Sequence, residues 1–126
     1  MIKFSKNQIL LLYKLMTDAT GGTIGIRENS LLESALDAPF QTFGGNELYP
    51  SIIEKAARLG FGLVANHPFI DGNKRIGLFV MLTFLEINNI KLNFTNNEIE
   101  NMALKLADGS YKYEDILKIL NEKRND

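Results

Sequence analysis

The sequence predicts an all-α fold, a compact helical bundle interrupted by one short hairpin. Three observations carry this. Apolar residues recur at spacings of three and four along most of the chain, as one buried helical face requires. Three Ser/Thr-x-x-Glu/Gln boxes, Ser5–Gln8, Ser30–Glu33 and Thr95–Glu98, stand at the start of such runs. Only residues 40–49 read as irregular or extended, with Gly44-Gly45 suited to a turn.

In order, the first helix follows Ser5 and places Ile9, Leu12, Tyr13 and Met16 on one face; Gly21-Gly22 ends it. A loop with Gly25 and Arg27 leads to a short helix through Leu31, Leu32, Ala35 and Leu36, which stops before Pro39. Residues 39–49 form the one long connection, with a small hairpin at Gly44-Gly45. Pro50 suits the first turn of the next helix, which carries Ile53, Ala56, Leu59 and Leu63 and ends near Asn66, because Pro68 forbids continuation. A helix from Gly72-Asn73 to Asn88-Asn89 is apolar around much of its circumference and belongs in the centre. Thr95 opens a helix to about Ala107. Gly109 breaks the chain, and a last helix runs from about Tyr113 to Lys123.

The 126 residues, 45% hydrophobic and 23% charged, read as one domain spanning 1–126, without internal repeat or linker. A net charge of −1 argues against a general nucleic-acid-coating role. The run Ile9–Leu12 is too short to span a bilayer, and no convincing cleavage site follows it, so neither a membrane anchor nor a signal peptide is expected. The absence of cysteine excludes disulfides and thiolate metal sites and fits a reducing cytoplasm.

One stretch carries the chemistry: His67-Pro68-Phe69-Ile70-Asp71-Gly72-Asn73-Lys74-Arg75. It holds the only histidine of the chain. Imidazole titrates near neutrality and can accept a proton from a hydroxyl. Asp71 is a hard oxygen ligand; magnesium needs only one or two protein carboxylates when phosphates and water complete its shell. Gly72 and Asn73 open a helix whose free N–H groups attract anions, and Lys74 and Arg75 add full positive charge. Each residue also has a plainer reading. His67 could merely cap a helix, Asp71 could be an N-cap, and Lys74-Arg75 could be a solvated basic turn. Phe69 is expected to plug into the core and Gly77 to permit close helix packing. No Walker-type, dinucleotide or protein-kinase motif is present.

This stretch resembles the signature of the Fic/Doc superfamily, H-x-F-x-[D/E]-G-N-x-R, and the resemblance extends over essentially the whole chain. It is most similar to the death-on-curing (Doc) branch. Lys74 stands where adenylylating Fic enzymes usually have glycine, and Leu78 where they usually have a second arginine. The segments Gly21–Arg27 and Leu31–Ala35 are also Doc-like. The resemblance implies a Fic/Doc-type helical bundle with the motif between two central helices, and a flap before Pro50 that holds the target segment extended. It implies His67 as general base, Asp71 as the ligand of Mg²⁺ on ATP, and Gly72, Asn73, Lys74 and Arg75 as the phosphate site.

A Doc-like chain would transfer the γ-phosphate of ATP to a Ser/Thr hydroxyl of a target protein, expected to be elongation factor Tu, and arrest translation. Gly72 departs from Doc, which has alanine there, and restores the Fic residue; AMP transfer is therefore the alternative. A catalytically silent antitoxin-binding module is the third reading. The inhibitory [S/T]-x-x-x-E-[G/N] pattern of many Fic proteins is missing, since Glu28-Asn29 and Glu100-Asn101 are preceded at that spacing by Ile24 and Asn96. Inhibition by an antitoxin in trans is expected instead.

Overall fold

In the computed structural model, which describes residues 1–124, the chain runs α1 (Lys6–Thr20), α2 (Asn29–Asp37), a 3-10 turn (Ala38–Phe40), β1 (Thr42–Phe43), β2 (Asn46–Glu47), α3 (Ile52–Ala65), α4 (Asn73–Ile87), α5 (Asn96–Ala107) and α6 (Tyr113–Arg124). The fold is all-α, with one small antiparallel hairpin. The last two residues of the domain read over 1–126 lie outside the described residues.

Two of the three anticipated capping boxes close. Ser5 Oγ accepts the Gln8 N–H at 3.2 Å while Gln8 Oε1 accepts the Ser5 N–H at 2.8 Å. Thr95 and Glu98 do the same for α5. The Ser30–Glu33 box does not form. Helix α2 already begins at Asn29, so Ser30 sits inside the first turn and cannot be the cap. Its hydroxyl turns to Glu28 Oε1 at 3.2 Å, and Glu33 Oε1 accepts from Lys6 Nζ at 3.2 Å and Asn29 Nδ2 at 3.0 Å. Glu33 thereby ties α2 to the start of α1, and the lysine and asparagine bonds hold its carboxyl below the usual range.

A second correction concerns α3. Pro50 lies outside the helix. Ser51 is the N-cap, and its hydroxyl accepts the Glu54 N–H at 3.0 Å while Glu54 Oε1 accepts the Ser51 N–H at 3.2 Å. A side chain that satisfies an orphan N–H outranks a proline, which only removes one.

One hydrophobic cluster draws on all six helices, with Ile9, Leu32, Leu63, Ile76, Met102 and Ile116 each below 3% exposed. Its axis is the antiparallel pair α3 and α4, the most extensively packed elements. Glycines let these helices approach. A Cβ on Gly77 would stand 2.6 Å from Val64 Cγ2 and 3.3 Å from the Gly60 carbonyl. A Gly77→Ala variant is therefore expected to lose about 1–3 kcal/mol of stability, read as a lower denaturant midpoint at unchanged m-value. Helix α4 ends where the paired asparagines predicted: Asn89 is left-handed (φ +67°), and the Ile90 N–H bonds the Leu85 carbonyl at 2.9 Å. No helix among the described residues is long and apolar enough to cross a membrane.

Candidate active site

The link between α3 and α4 is a tight loop whose shape is fixed from inside. Phe69 is fully buried and stacks on the Tyr13 ring, with centroids 3.9 Å apart. Asn73, 4% exposed, grips the backbone of Phe69 twice. Its Oδ1 accepts the Phe69 N–H at 2.9 Å, and its Nδ2 donates to the Phe69 carbonyl at 2.9 Å. These two bonds satisfy backbone groups that burial would otherwise leave unpaired.

The loop is also held from outside. Residues 25–28 run alongside it as a short β-bridge between Ile26 and Phe69. The Arg27 and Glu28 N–H groups donate to the Pro68 carbonyl at 2.7 and 3.2 Å, and Ile70 N–H donates to the Gly25 carbonyl at 2.9 Å. The Arg27 guanidinium then caps the end of α3, with Nε 2.8 Å from the His67 carbonyl and Nη2 3.1 Å from that of Asn66. A cation there complements the helix dipole. The Tyr13 hydroxyl lies 2.9 Å from the Asp71 carbonyl. His67 adopts φ +52°, a left-handed conformation uncommon for a side-chain-bearing residue, and its ring is exposed. Arg27 and Pro68 hold that turn in place.

Past Phe69, the chain delivers Asp71 and the start of α4. Asp71 is half-exposed. Its Oδ1 accepts the Gly72 N–H at 2.8 Å, its Oδ2 accepts the Thr23 N–H at 3.3 Å, and Arg75 Nη2 lies 3.9 Å from Oδ1. Gly22 makes room for it, since a Cβ there would stand 2.7 Å from Asp71 Oδ2. The N-cap falls to Gly72, in left-handed conformation (φ +84°), with no side-chain cap bond. Helices α1, α3 and α5 have their third N–H satisfied by a Ser or Thr hydroxyl; α4 leaves its first turn open. Arg75 Nη1 is steadied by Thr20 Oγ1 at 2.7 Å.

His67, Asp71, Gly72, Asn73, Lys74 and Arg75 all border one cavity of about 690 Å³. The structure thus gathers every site residue named from the sequence. It also alters the part Asn73 can play. The Asn73 amide is spent on Phe69, so only its backbone N–H is left for a phosphate. The far wall was not legible in the sequence. It comes from the α5–α6 turn, where Gly109 (φ +82°), Tyr111 and Lys112 face the motif, joined by Phe61 of α3. Nothing in the spacing of Tyr111 and Lys112 signals that this turn returns to residues forty positions earlier.

A magnesium-nucleotide fits these residues. The half-exposed Asp71 carboxylate stands beside open donors of a helix end. That is the donor set of a cation which takes most of its ligands from phosphate and water.

The Fic/DOC family model matches residues 3–85, from the start of α1 to near the end of α4. The chain belongs to the Fic/DOC family. It is also 40% identical over 74 residues to Toxin Doc of Mycolicibacterium smegmatis, a match covering 59% of this chain and 57% of that relative. The span matched by the Fic/DOC family model contains the whole His67–Arg75 loop and its Arg27 brace. The wall contributed by α5 and α6 lies beyond the family match.

Proposed function

We propose that the chain transfers the γ-phosphate of ATP to a serine or threonine hydroxyl of a target protein, as the toxin of a toxin–antitoxin pair acting in the cytoplasm. One observation carries this. A single rigid loop sets an exposed imidazole, a half-exposed carboxylate and an uncapped, cation-bearing helix start on the rim of one cavity.

The residues divide the work as follows. The open N–H groups of Asn73, Lys74 and Arg75, with the two side-chain cations, bind and orient the phosphates. Asp71 would hold Mg²⁺, which neutralises phosphate charge when bound. The hairpin β1–β2 seats the acceptor segment. His67 accepts the hydroxyl proton as the acceptor oxygen bonds to γ-phosphorus; the bond to the β-phosphate oxygen breaks and ADP leaves. Catalysis of this kind is mainly positioning and charge stabilisation. The expected target is elongation factor Tu, with an antitoxin acting in trans. The target expectation follows from the Doc resemblance alone; the antitoxin is supported by that resemblance and by the relative's name, Toxin Doc.

AMP transfer is the second reading, favoured by Gly72 at the left-handed cap position (φ +84°). Labelled ATP separates the two. With Mg²⁺ and elongation factor Tu, label at the γ-position is expected to reach the acceptor and label at the α-position is not. Transfer of α-label would replace the kinase reading with nucleotidyl transfer. A Lys74→Gly variant is expected to shift incorporation from γ- toward α-label if lysine sets the nucleotide orientation, and to leave an α-specific enzyme unchanged.

A further inference from the structure

We propose that Lys55 is the positioning residue of the hairpin, a buried ammonium that fixes the β1–β2 flap relative to His67. The proposal rests on the reading above in that the flap seats the acceptor segment. Lysine is almost never fully buried without a partner. Lys55 is 1% exposed, and its Nζ donates to Glu47 Oε1 at 2.9 Å and to the Tyr49 carbonyl. The ammonium also lies 5.8 Å from the centre of the Phe40 ring. Residues on both flanks of the hairpin therefore converge on one cation.

Among the described residues the flanking Phe40 is also held, by the Lys3 ammonium 4.2 Å from its ring centre and by edge-to-face packing on Phe84, but the strands themselves are anchored only through Glu47. All four strand residues, Thr42, Phe43, Asn46 and Glu47, are exposed, and Phe43 is 81% exposed. A two-stranded hairpin without a buried face is marginal by itself. The turn residues Gly44 (φ +59°) and Gly45 (φ +83°) shape it but do not attach it. A second, weaker tie is the edge-to-face packing of Tyr49 on Tyr113 at 5.1 Å. Burial holds the Tyr113 phenol neutral, its pKa pushed up to about 12.

Helix α3 makes the anchor matter for the site. Lys55 lies in its first turns, and the same helix ends at Ala65, two residues before His67. At 1.5 Å per residue, roughly 15 Å of stiff helix axis runs from Lys55 to Ala65. A flap fastened to Lys55 is thereby held at a set distance from the base.

The test uses Lys55→Met and Glu47→Gln in the full chain. Lys55→Met replaces the buried cation by an apolar residue of similar volume and strands no charge in the core, because its partner Glu47 is half-exposed, and Glu47→Gln alters only that exposed partner. Hydrogen exchange of the amides in residues 42–48 is expected to rise roughly 10-fold or more in Lys55→Met. The KM for the acceptor protein should rise roughly 10-fold, with kcat at saturating acceptor and nucleotide affinity unchanged. Glu47→Gln should move the same quantities less. Unchanged flap exchange in both variants would overturn the proposal, as would a parallel fall in nucleotide affinity and kcat. If the wild-type chain labels no protein, the functional reading and the catalytic half of this proposal both fall, and exchange alone decides the anchoring.

Discussion

A His67→Ala variant is expected to lose transfer activity by about 10²–10⁴-fold, the contribution typical of a general base. The loss should not come from unfolding. The ring is exposed, and no hydrogen bond from it is seen among the described residues. What His67 does contribute structurally is its backbone, left-handed at φ +52° and fastened through its carbonyl to Arg27. His67→Asn is the matched control, because asparagine tolerates that conformation better than alanine. Both variants should bind nucleotide as the parent does and melt within a few degrees of it, while neither transfers label. Transfer surviving in either would remove His67 from the chemistry and favour a catalytically silent module whose effect depends on binding alone.

The second large effect is expected at Asn73, through a different route. Asn73→Ala removes both partners of the Phe69 backbone, leaving a buried N–H and a buried C=O unpaired. Each such group costs about 1–3 kcal/mol, so the variant should unfold at clearly lower denaturant. The loop should also lose its shape, because Phe69 would no longer be held against Tyr13. Nucleotide binding and transfer are then expected to fall together, even though the Asn73 side chain need not touch a phosphate. Asn73→Asp keeps one acceptor but loses the donor and buries a charge, so it should rescue little. Loss of nucleotide binding without loss of stability would reverse this assignment and place the amide on the ligand.

These two residues show what kind of role a motif reveals. His67 through Arg75 suggest base, ligand and phosphate site because each residue type brings its chemistry with it. Asn73 was assigned to the phosphates by its place at a helix start. Only the folded loop reveals that its amide is turned inward. The same distinction holds for the helices. Ser5–Gln8 and Thr95–Glu98 capped their helices because each box stood just before the first helical residue. Ser30–Glu33 had the same pattern but was overruled when α2 started two residues sooner and Lys6 claimed Glu33. Ser51–Glu54 is an equally good box, passed over in favour of Pro50.

By itself, the sequence determined the helical class, the order of the elements, the hairpin at Gly44-Gly45 and the position of the His67–Arg75 loop between two helices. All of these depend on neighbours within a few positions: apolar spacing, caps, glycines with free φ, and a contiguous motif. The tertiary structure decided the rest: the Arg27 brace, the stacking of Tyr13 on Phe69, the Tyr111–Lys112 wall and the burial of Lys55 beneath the flap. Those contacts join residues far apart in the chain. Which of them form depends on how six helices share one core, and no local pattern of residue types encodes that.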